Sequence, residues 1–516
     1  MVDANASIPA VLRATAQANP AAPAICFSDH RITFAEVDQA SDAIAASLAE
    51  QGIEQGDRVA LYCINSDTFA IIYTGIIKAG AVVVPVNLLL NPKEISYILQ
   101  DAQVKGLFYH HAFAASVATF RAGISSLEFC ASIGLEQGDD PRFEDLRQNR
   151  AKPPRPDIDP AEDLAAILYT SGTTGHPKGA MLTHRNLLSN SCSVAEAMQF
   201  KTGEDLILVV LPMFHSFAAT VGLLTPLLHG LSFAPAARFD PAAISALIGA
   251  VGATVFLGVP SMYNLLLRLP DEQLRQWSSV RFGISGGSAM PVAVMRQFEE
   301  RFGLPIYEGD GPTECSPVTC VNPVGGQTKP ASVGLPVPNV EIEIFDDEGR
   351  ELPVNEIGEL CVRGANVMKG YWNLPEATAE SFFGGWFRTG DLGYKDEDGY
   401  LFMVDRKKDM IIVNGMNVYP RMVEEVLYQH PQISEAAVVG EPDARHGEVP
   451  IAHVVLQQDA RVTAAEVRAY CLENLGRHQV PRKVMLRTSL PKNAAGKILK
   501  RELRREGELE RGVDIQ

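Results

Sequence analysis

The sequence predicts an α/β protein with a large N-terminal domain of parallel-type sheets and helices, a small β-barrel-like subdomain, and a smaller α+β lid domain at the C-terminus. Three observations carry this. Short β-rich runs alternate with Ala-rich helical stretches as far as about Ser332. From there to Leu401 the chain reads as short strands divided by turn residues. Beyond Asp405 the charge balance changes: the last stretch holds 18 Lys+Arg against 16 Asp+Glu, whereas the whole chain carries a net charge of −17.

Taken in order, "DRVALYCIN", "GAVVVPV", "GLFYH" and "TVFLGVP" read as buried strands, and "FAEVDQASDAIAASLAEQ" and "PVAVMRQFEERFG" as helices. Strands and helices in alternation imply parallel pairing. The start, "MVDANASIPAVLRATAQANP", lacks a basic region followed by a long apolar one, so no signal peptide is expected. The apolar run "FAIIYTGIIKAGAVVVPVNLLL" is interrupted by Lys78, Gly80 and Pro85, which suits a buried helix and strand better than a membrane span. "VEIEIFDDEGRELP", "GELCVRGANV" and "GYLFMV" supply the barrel-like strands. "DMIIVNG", "PRMVEEVLYQH" and "EAAVVGEPD" open the last unit, which closes on a charged helix, "KILKRELRREGELE".

Composition excludes some functions. With 46% hydrophobic residues in 516, the chain buries large cores and makes several domains or subdomains. Its acidity argues against nucleic acid, whose phosphates call for a basic face. Eight cysteines are scattered without a C-x-x-C pair or a zinc-site histidine, so they read as reduced packing residues of a cytoplasmic protein.

"YTSGTTGHPKG", Tyr169 to Gly179, is the first stretch that carries chemistry. It is not a Walker A loop, because Gly175 is followed by "HPKG" with no hydroxyl after Lys178. Glycines that let backbone N–H groups approach an anion, hydroxyl donors and one lysine still favour a phosphate. A flexible turn between two elements would use the same residues, and the loop alone does not decide.

Six further segments follow in order: "LPMFHSFA" (211–218), "ISGGSAMP" (284–291), "YEGDGPTE" (307–314), "FRTGDLGY" (387–394), "DRKKDMIIVNG" (405–415) and "LPKNAAGKILKREL" (490–503). With these the chain resembles, over essentially its whole length, the adenylate-forming superfamily, which includes acyl-CoA synthetases, peptide-synthetase adenylation domains and beetle luciferases. Within it the chain is most similar to AMP-dependent fatty-acid–CoA ligases. The resemblance implies that ATP and Mg²⁺ convert a carboxylate to an acyl-adenylate, and that the thiol of CoA then displaces AMP.

It also implies roles for residues. Lys497 bridges the carboxylate and the α-phosphate. Thr313 contacts phosphate, and Glu314 holds the magnesium ion. Thr170, Ser171, Gly172, Thr173, Thr174, Gly175 and Lys178 form the phosphate loop, and Gly311 lines the nucleotide site. Asp391 accepts hydrogen bonds from the ribose hydroxyls, and Arg406 reaches ribose or phosphate. Lys408 is the hinge about which the small domain turns, and Gly415 leaves room for the pantetheine arm of CoA. The division is then an adenylating domain 1–404, a hinge 405–408 and a mobile domain 409–516. Acetylation of Lys497 would remove its charge and block adenylation while sparing thioester formation.

One position departs from the pattern. Where most relatives carry an aromatic residue that stacks on adenine, this chain has Asp310. Stacking by that residue is excluded; an aspartate there accepts a hydrogen bond from the adenine amino group, or another side chain supplies the platform.

The acyl pocket is expected between His215, Phe217, Gly286 and Gly287. Its three segments hold no lysine or arginine to pair a second carboxylate, so an apolar acid is expected, a medium- or long-chain fatty acid before an aryl or alicyclic one. An acyl-AMP ligase that loads a carrier protein shares the adenylation segments and is the alternative. A catalytically silent homologue would be expected to lack Lys497, Glu314 or Asp391, and all three are present. The oligomeric state is left open, a homodimer included.

Overall fold

Residues 2–134, 138–170, 177–458, 460–493 and 496–510 are described by a computed structural model. Two sheets dominate its larger part. In one, Ser232–Pro235, Leu206–Val209, Val255–Gly258, Phe282–Ser285 and Ile306–Asp310 lie side by side and parallel. Two short antiparallel strands, Cys320–Val321 and Leu335–Pro336, extend that edge. In the other, Val82–Pro85, Arg58–Tyr62, Gly106–His110 and Phe129–Ile133 are parallel, and Leu164–Thr170 turns back through Lys178–Thr183.

The side chains explain why both faces are covered. Val59, Leu61 and Val83 enter one core, while Ala60, Tyr62, Val82 and Val84, their neighbours along the same strands, enter another. That alternation is the pleat of a strand buried on both sides. The first core also takes Ile44, Phe69, Ile72 and Tyr73 from helices Phe34–Glu50 and Asp67–Lys78, together with Ile207, Val209 and Phe256 of the other sheet. The expected α/β class is borne out.

Local chemistry sets the helix ends. Thr33 with Glu36, and Thr463 with Glu466, close reciprocal caps that satisfy the first free N–H groups of their helices. Lys78, fully buried at the end of its helix, is neutralised by Asp38 and by Asp42 at 3.0 Å, which ties its helix to Phe34–Glu50. The apolar run around it is a helix and then a strand, as read. No helix among the described residues is long and apolar enough to cross a membrane.

The barrel-like segment is an antiparallel sheet of Val340–Phe345, Gly358–Gly364, Phe382–Phe383, Trp386–Lys395 and Leu401–Arg406. The last unit has its own five-stranded sheet, built on the long hairpin Ile433–Asp443 and Gly447–Leu456. Helix Pro420–Gln429 lies against it, and its core of Ile411, Val423, Leu427, Val438 and Val467 is separate from that of the large sheets. One boundary differs from the sequence reading. The terminal helix begins at Lys500, and the residues before it form a turn in which Ile498 bridges back to Lys492. Gly496, at φ +81°, sets that turn. All eight cysteines are free.

Candidate active site

Strands Phe282–Ser285 and Ile306–Asp310 bring their C-terminal ends to one cavity, at the sheet end where doubly wound sheets bind ligands. Strand Ile306–Asp310 ends there and runs into Gly311-Pro312-Thr313-Glu314. A Cβ on Gly311 would stand 1.7 Å from the carbonyl oxygen of Pro317, so only glycine permits this return of the chain. Glu314 is 9% exposed, and its Oε1 accepts from the hydroxyls of Thr170 (3.2 Å) and Tyr371 (2.9 Å). Lys178 Nζ lies 5.0 Å above the Tyr371 ring. The Thr313 hydroxyl is 3.0 Å from that of Ser216. One polar chain thus links both large sheets and the flanks of the phosphate-loop segment.

A second group lies on the antiparallel sheet and the small domain. Asp391 and Arg406 are directly opposed on neighbouring strands, with Oδ1 and Nε 3.4 Å apart. Burial pushes the Asp391 carboxyl up to about 6, while Arg406 pulls it back. Asp391 in turn holds Arg406 firmly charged. The Asp310 carboxyl is likewise raised by burial, against the pull of Arg406 and Lys497.

Lys497 arrives from the turn before the last helix. Its backbone N–H donates to Asn493 Oδ1 at 2.8 Å, and the Ser261 hydroxyl of the large domain donates to the Gly496 carbonyl at 3.2 Å. Burial, with Arg406 beside it, lowers the lysine to about 8. Asp391 and Asp310 oppose that fall. Burial lowers His215 to about 4, and the charge of Lys497 adds to the effect. The imidazole is therefore neutral near pH 7. Its Nδ1 accepts from Phe217 N–H at 3.3 Å, which leaves the proton on Nε2.

Beside these groups lies a narrow cavity of about 50 Å³, lined by His215, Phe217, Val221, Ile284, Gly286, Gly287, Asp310 and Val337. A Cβ on Gly286 would meet the Phe217 ring at 3.2 Å, and Gly287 sits at φ +77°. Its walls are largely apolar.

The sequence profile of the AMP-binding enzyme family matches residues 12–372, and that of the AMP-binding enzyme C-terminal domain matches 422–497. The chain belongs to the AMP-binding enzyme family. It is 37% identical to a long-chain-fatty-acid–CoA ligase of Bacillus subtilis (strain 168), covering 97% of this chain and 95% of that protein. It is 35% identical to a feruloyl-CoA synthase of Amycolatopsis sp, covering 95% and 97%. ATP-bound MatB from Rhodopseudomonas palustris superposes with a TM-score of 0.89 at 33% identity, covering 97% of this chain and 99% of that one. Apo MatB gives 0.79 at 34% identity and coverages of 98% and 99%.

The geometry brings together Lys497, Thr313, Glu314, Thr170, Lys178, Asp310, Gly311, Asp391, Arg406, His215, Phe217, Gly286 and Gly287. Ser171, Gly172, Thr173, Thr174 and Gly175 lie outside the described residues. Lys408 sits in the short turn Lys407–Asp409 that follows Arg406. Gly415, with Asn414 at φ +52° and itself at +78°, turns a hairpin, and a Cβ there would touch nothing within 4 Å. In this arrangement its backbone conformation alone accounts for the glycine. Sequence reading missed Tyr371 and Ser216. Tyr371 stands in "KGYWNLP", outside every segment that carried the resemblance, and only the fold brings it to Glu314.

Proposed function

We propose that the chain activates an apolar carboxylic acid, foremost a medium- or long-chain fatty acid, to an acyl-adenylate and then to its CoA thioester. In the first step a carboxylate oxygen attacks the α-phosphorus of ATP and the bond to pyrophosphate breaks. In the second the CoA thiol gives up its proton and attacks the acyl carbon, and AMP leaves. The observation that carries this reading is the half-buried Lys497 ammonium, within electrostatic reach of Asp391, Arg406 and His215, beside an apolar cavity that His215 lines.

Two anions must meet in the first step, so preplaced positive charge is the main requirement. Neutral His215 cannot supply it, and Arg406 faces Asp391. Lys497, which is in electrostatic reach of His215 at the acid cavity, bridges carboxylate and α-phosphate in this reading, and Lys178 adds its charge at the phosphate loop. Ionised Asp391 accepts from the ribose hydroxyls, while Thr313, Thr170, Lys178 and the loop between them hold phosphate. Among the described residues no three His, Cys, Asp or Glu gather to hold a metal ion by themselves. The single Glu314 carboxylate, set beside the Thr170 hydroxyl, is a hard oxygen donor that fits Mg²⁺, which keeps most of its coordination for phosphate and water. Glu314 would hold it, and the ion would neutralise the triphosphate. Asp310 accepts from the adenine amino group; an Asp310→Tyr variant with unchanged ATP affinity would count against this.

The division into 1–404, a hinge at 405–408 with Lys408, and 409–516 belongs to the same reading, and is supported by two cores that part between Leu401 and Ile411. Rotation there would bring Gly415 to the pantetheine arm. A cytoplasmic location is supported by the free cysteines. A second reading, an aryl acid, is supported by the 35% identity to a feruloyl-CoA synthase. At about 50 Å³ the cavity is far short of a ligand pocket's usual size of roughly 300 Å³ or more, so either acid requires its walls to part.

The test is mass spectrometry of products from purified protein with Mg-ATP, CoA and a panel of fatty, aryl and alicyclic acids. Acyl-CoA from a fatty acid is the expected result. Acyl-CoA from aryl acids alone moves the substrate to the second reading, and acyl-AMP without thioester makes the chain a carrier-loading ligase.

A further inference from the structure

Glu308 stands two residues before Asp310 on the same strand, has a side chain 1% exposed, and takes no part in the chemistry above. Its Oε1 accepts from Met290 N–H at 2.8 Å. Met290 belongs to the segment that runs from Gly286 and Gly287, so this bond braces one wall of the acid cavity. Glu308 Oε2 is buried without a hydrogen-bond partner among the described residues. A buried carboxylate in that condition is costly unless a cation stands near.

The cation comes from the far side of the hinge. Arg421, in the first turn of helix Pro420–Gln429, brings Nη2 to 4.0 Å from Glu308 Oε1. Its Nη1 donates to the Met403 carbonyl at 2.7 Å, and Nη2 reaches the Ala331 carbonyl at 3.5 Å. Its backbone N–H donates to Asp405 Oδ2 at 2.8 Å. Three of these four partners, Glu308, Met403 and Ala331, belong to the large domain. An arginine on a rotating domain has these contacts in one orientation, the one that also seats Lys497.

We propose that Arg421 and Glu308 form a latch that favours the adenylation arrangement, Glu308 passing the seating of the small domain to the loop that walls the acid cavity. Arg421 is a positioning residue: it touches no reacting atom. Turning the small domain withdraws the guanidinium and leaves Glu308 without its counter-charge. Burial already pushes Glu308 up to about 7 and Arg421 is what pulls it back, in keeping with this role. The inference rests on the two-step reading, because a latch has meaning only if the domain turns.

The test separates the half-reactions in the full-length protein. Adenylation is followed as acid-dependent ATP–pyrophosphate exchange, and thioester formation is followed from supplied acyl-adenylate and CoA. Arg421→Met is expected to slow the first by about 5–150-fold, the range of a typical coupling between sites, and to leave the second within about threefold. Glu308→Gln keeps an acceptor for Met290 and removes the charge, so it should show the same split more weakly and guard against misfolding of the first variant. Trypsin cleavage at Arg406, Lys407 and Lys408 is a readout that needs no turnover, and it should quicken in Arg421→Met. Equal loss of both half-reactions, or no change in either with unchanged cleavage, overturns the latch. A wild-type protein that adenylates no acid overturns the two-step reading instead, and the cleavage rates then stand alone against the latch.

Discussion

Lys497 carries its charge half-buried and beside a second cation, and this gives the residue a measurable signature. Burial and Arg406 lower it to about 8 from an ordinary value of 10.5. The protonated form is the one that attracts both anions, so activity is present below that value and is lost as pH rises through it. We expect kcat/KM for adenylation, which reports the free enzyme, to fall with a midpoint near pH 8. A pH–rate profile of pyrophosphate exchange checks it, and Lys497→Arg, whose charge persists, should flatten the fall. Lys497→Ala should cost about 3–4 kcal/mol of transition-state stabilisation, comparable to losing one preorganised oxyanion donor. The importance of Lys497 was legible because its frame "NAAGK" stands in the sequence. What sets its value was not, since Arg406, which lowers it, and Asp391, which raises it, lie about a hundred residues away and meet it only through the seating of the small domain.

The strand and turn Ile306–Cys315 show the same limit for an element. The segment was recognised from "YEGDGPTE", but why glycine must stand at 311 depends on Pro317 folding back over it. Gly311→Ala puts a Cβ 1.7 Å from a backbone oxygen that has no rotamer to escape by. It should destabilise the fold by about 1–3 kcal/mol or more, as overpacking does, and weaken ATP binding with it. Gly286→Ala meets the Phe217 ring at 3.2 Å, where a side chain can give way, and the Gly309 carbonyl oxygen at 3.5 Å, an ordinary contact. That variant should keep its melting temperature and raise KM for bulky acids more than for small ones. Calorimetry and a panel of acids separate the two outcomes. The last helix was read as starting with "KILKREL", whose spacing suits a helix. Gly496 at positive φ, the Lys492 to Ile498 bridge and the Ser261 hydroxyl hold Lys497 out of it, and none of these tertiary constraints is local in sequence.

For the molecule as a whole, the change in composition near Asp405 located the point where two cores part, because each domain must bury its own apolar set. How the domains meet was not legible, since the residues in contact lie far apart in the sequence: Tyr428 of helix Pro420–Gln429 packs against the core of the large sheets, and hydrogen bonds join it. Asn264 Nδ2 donates to the Ser434 carbonyl at 2.8 Å, Val292 N–H reaches Glu425 Oε2 at 3.5 Å, and Ser261 and Arg421 add the contacts given above. Such an interface transmits little cooperativity, and the smaller domain has the smaller core. The two should therefore unfold separately in the absence of ligands. The sequence supplies its own probe: all three tryptophans, Trp277, Trp372 and Trp386, lie in the large domain. Their fluorescence reports that domain alone, whereas far-ultraviolet circular dichroism sums both. In a urea titration the dichroism should begin to fall at lower urea than the fluorescence. In the proposed function a non-hydrolysable ATP analogue with Mg²⁺ and acid would bind residues of both domains, and so would stabilise them only together. The two curves should then converge and shift to higher urea. Coincident curves in the free protein would mean that the interface couples the domains more strongly than so few contacts allow, and rotation about 405–408 would lose its physical basis.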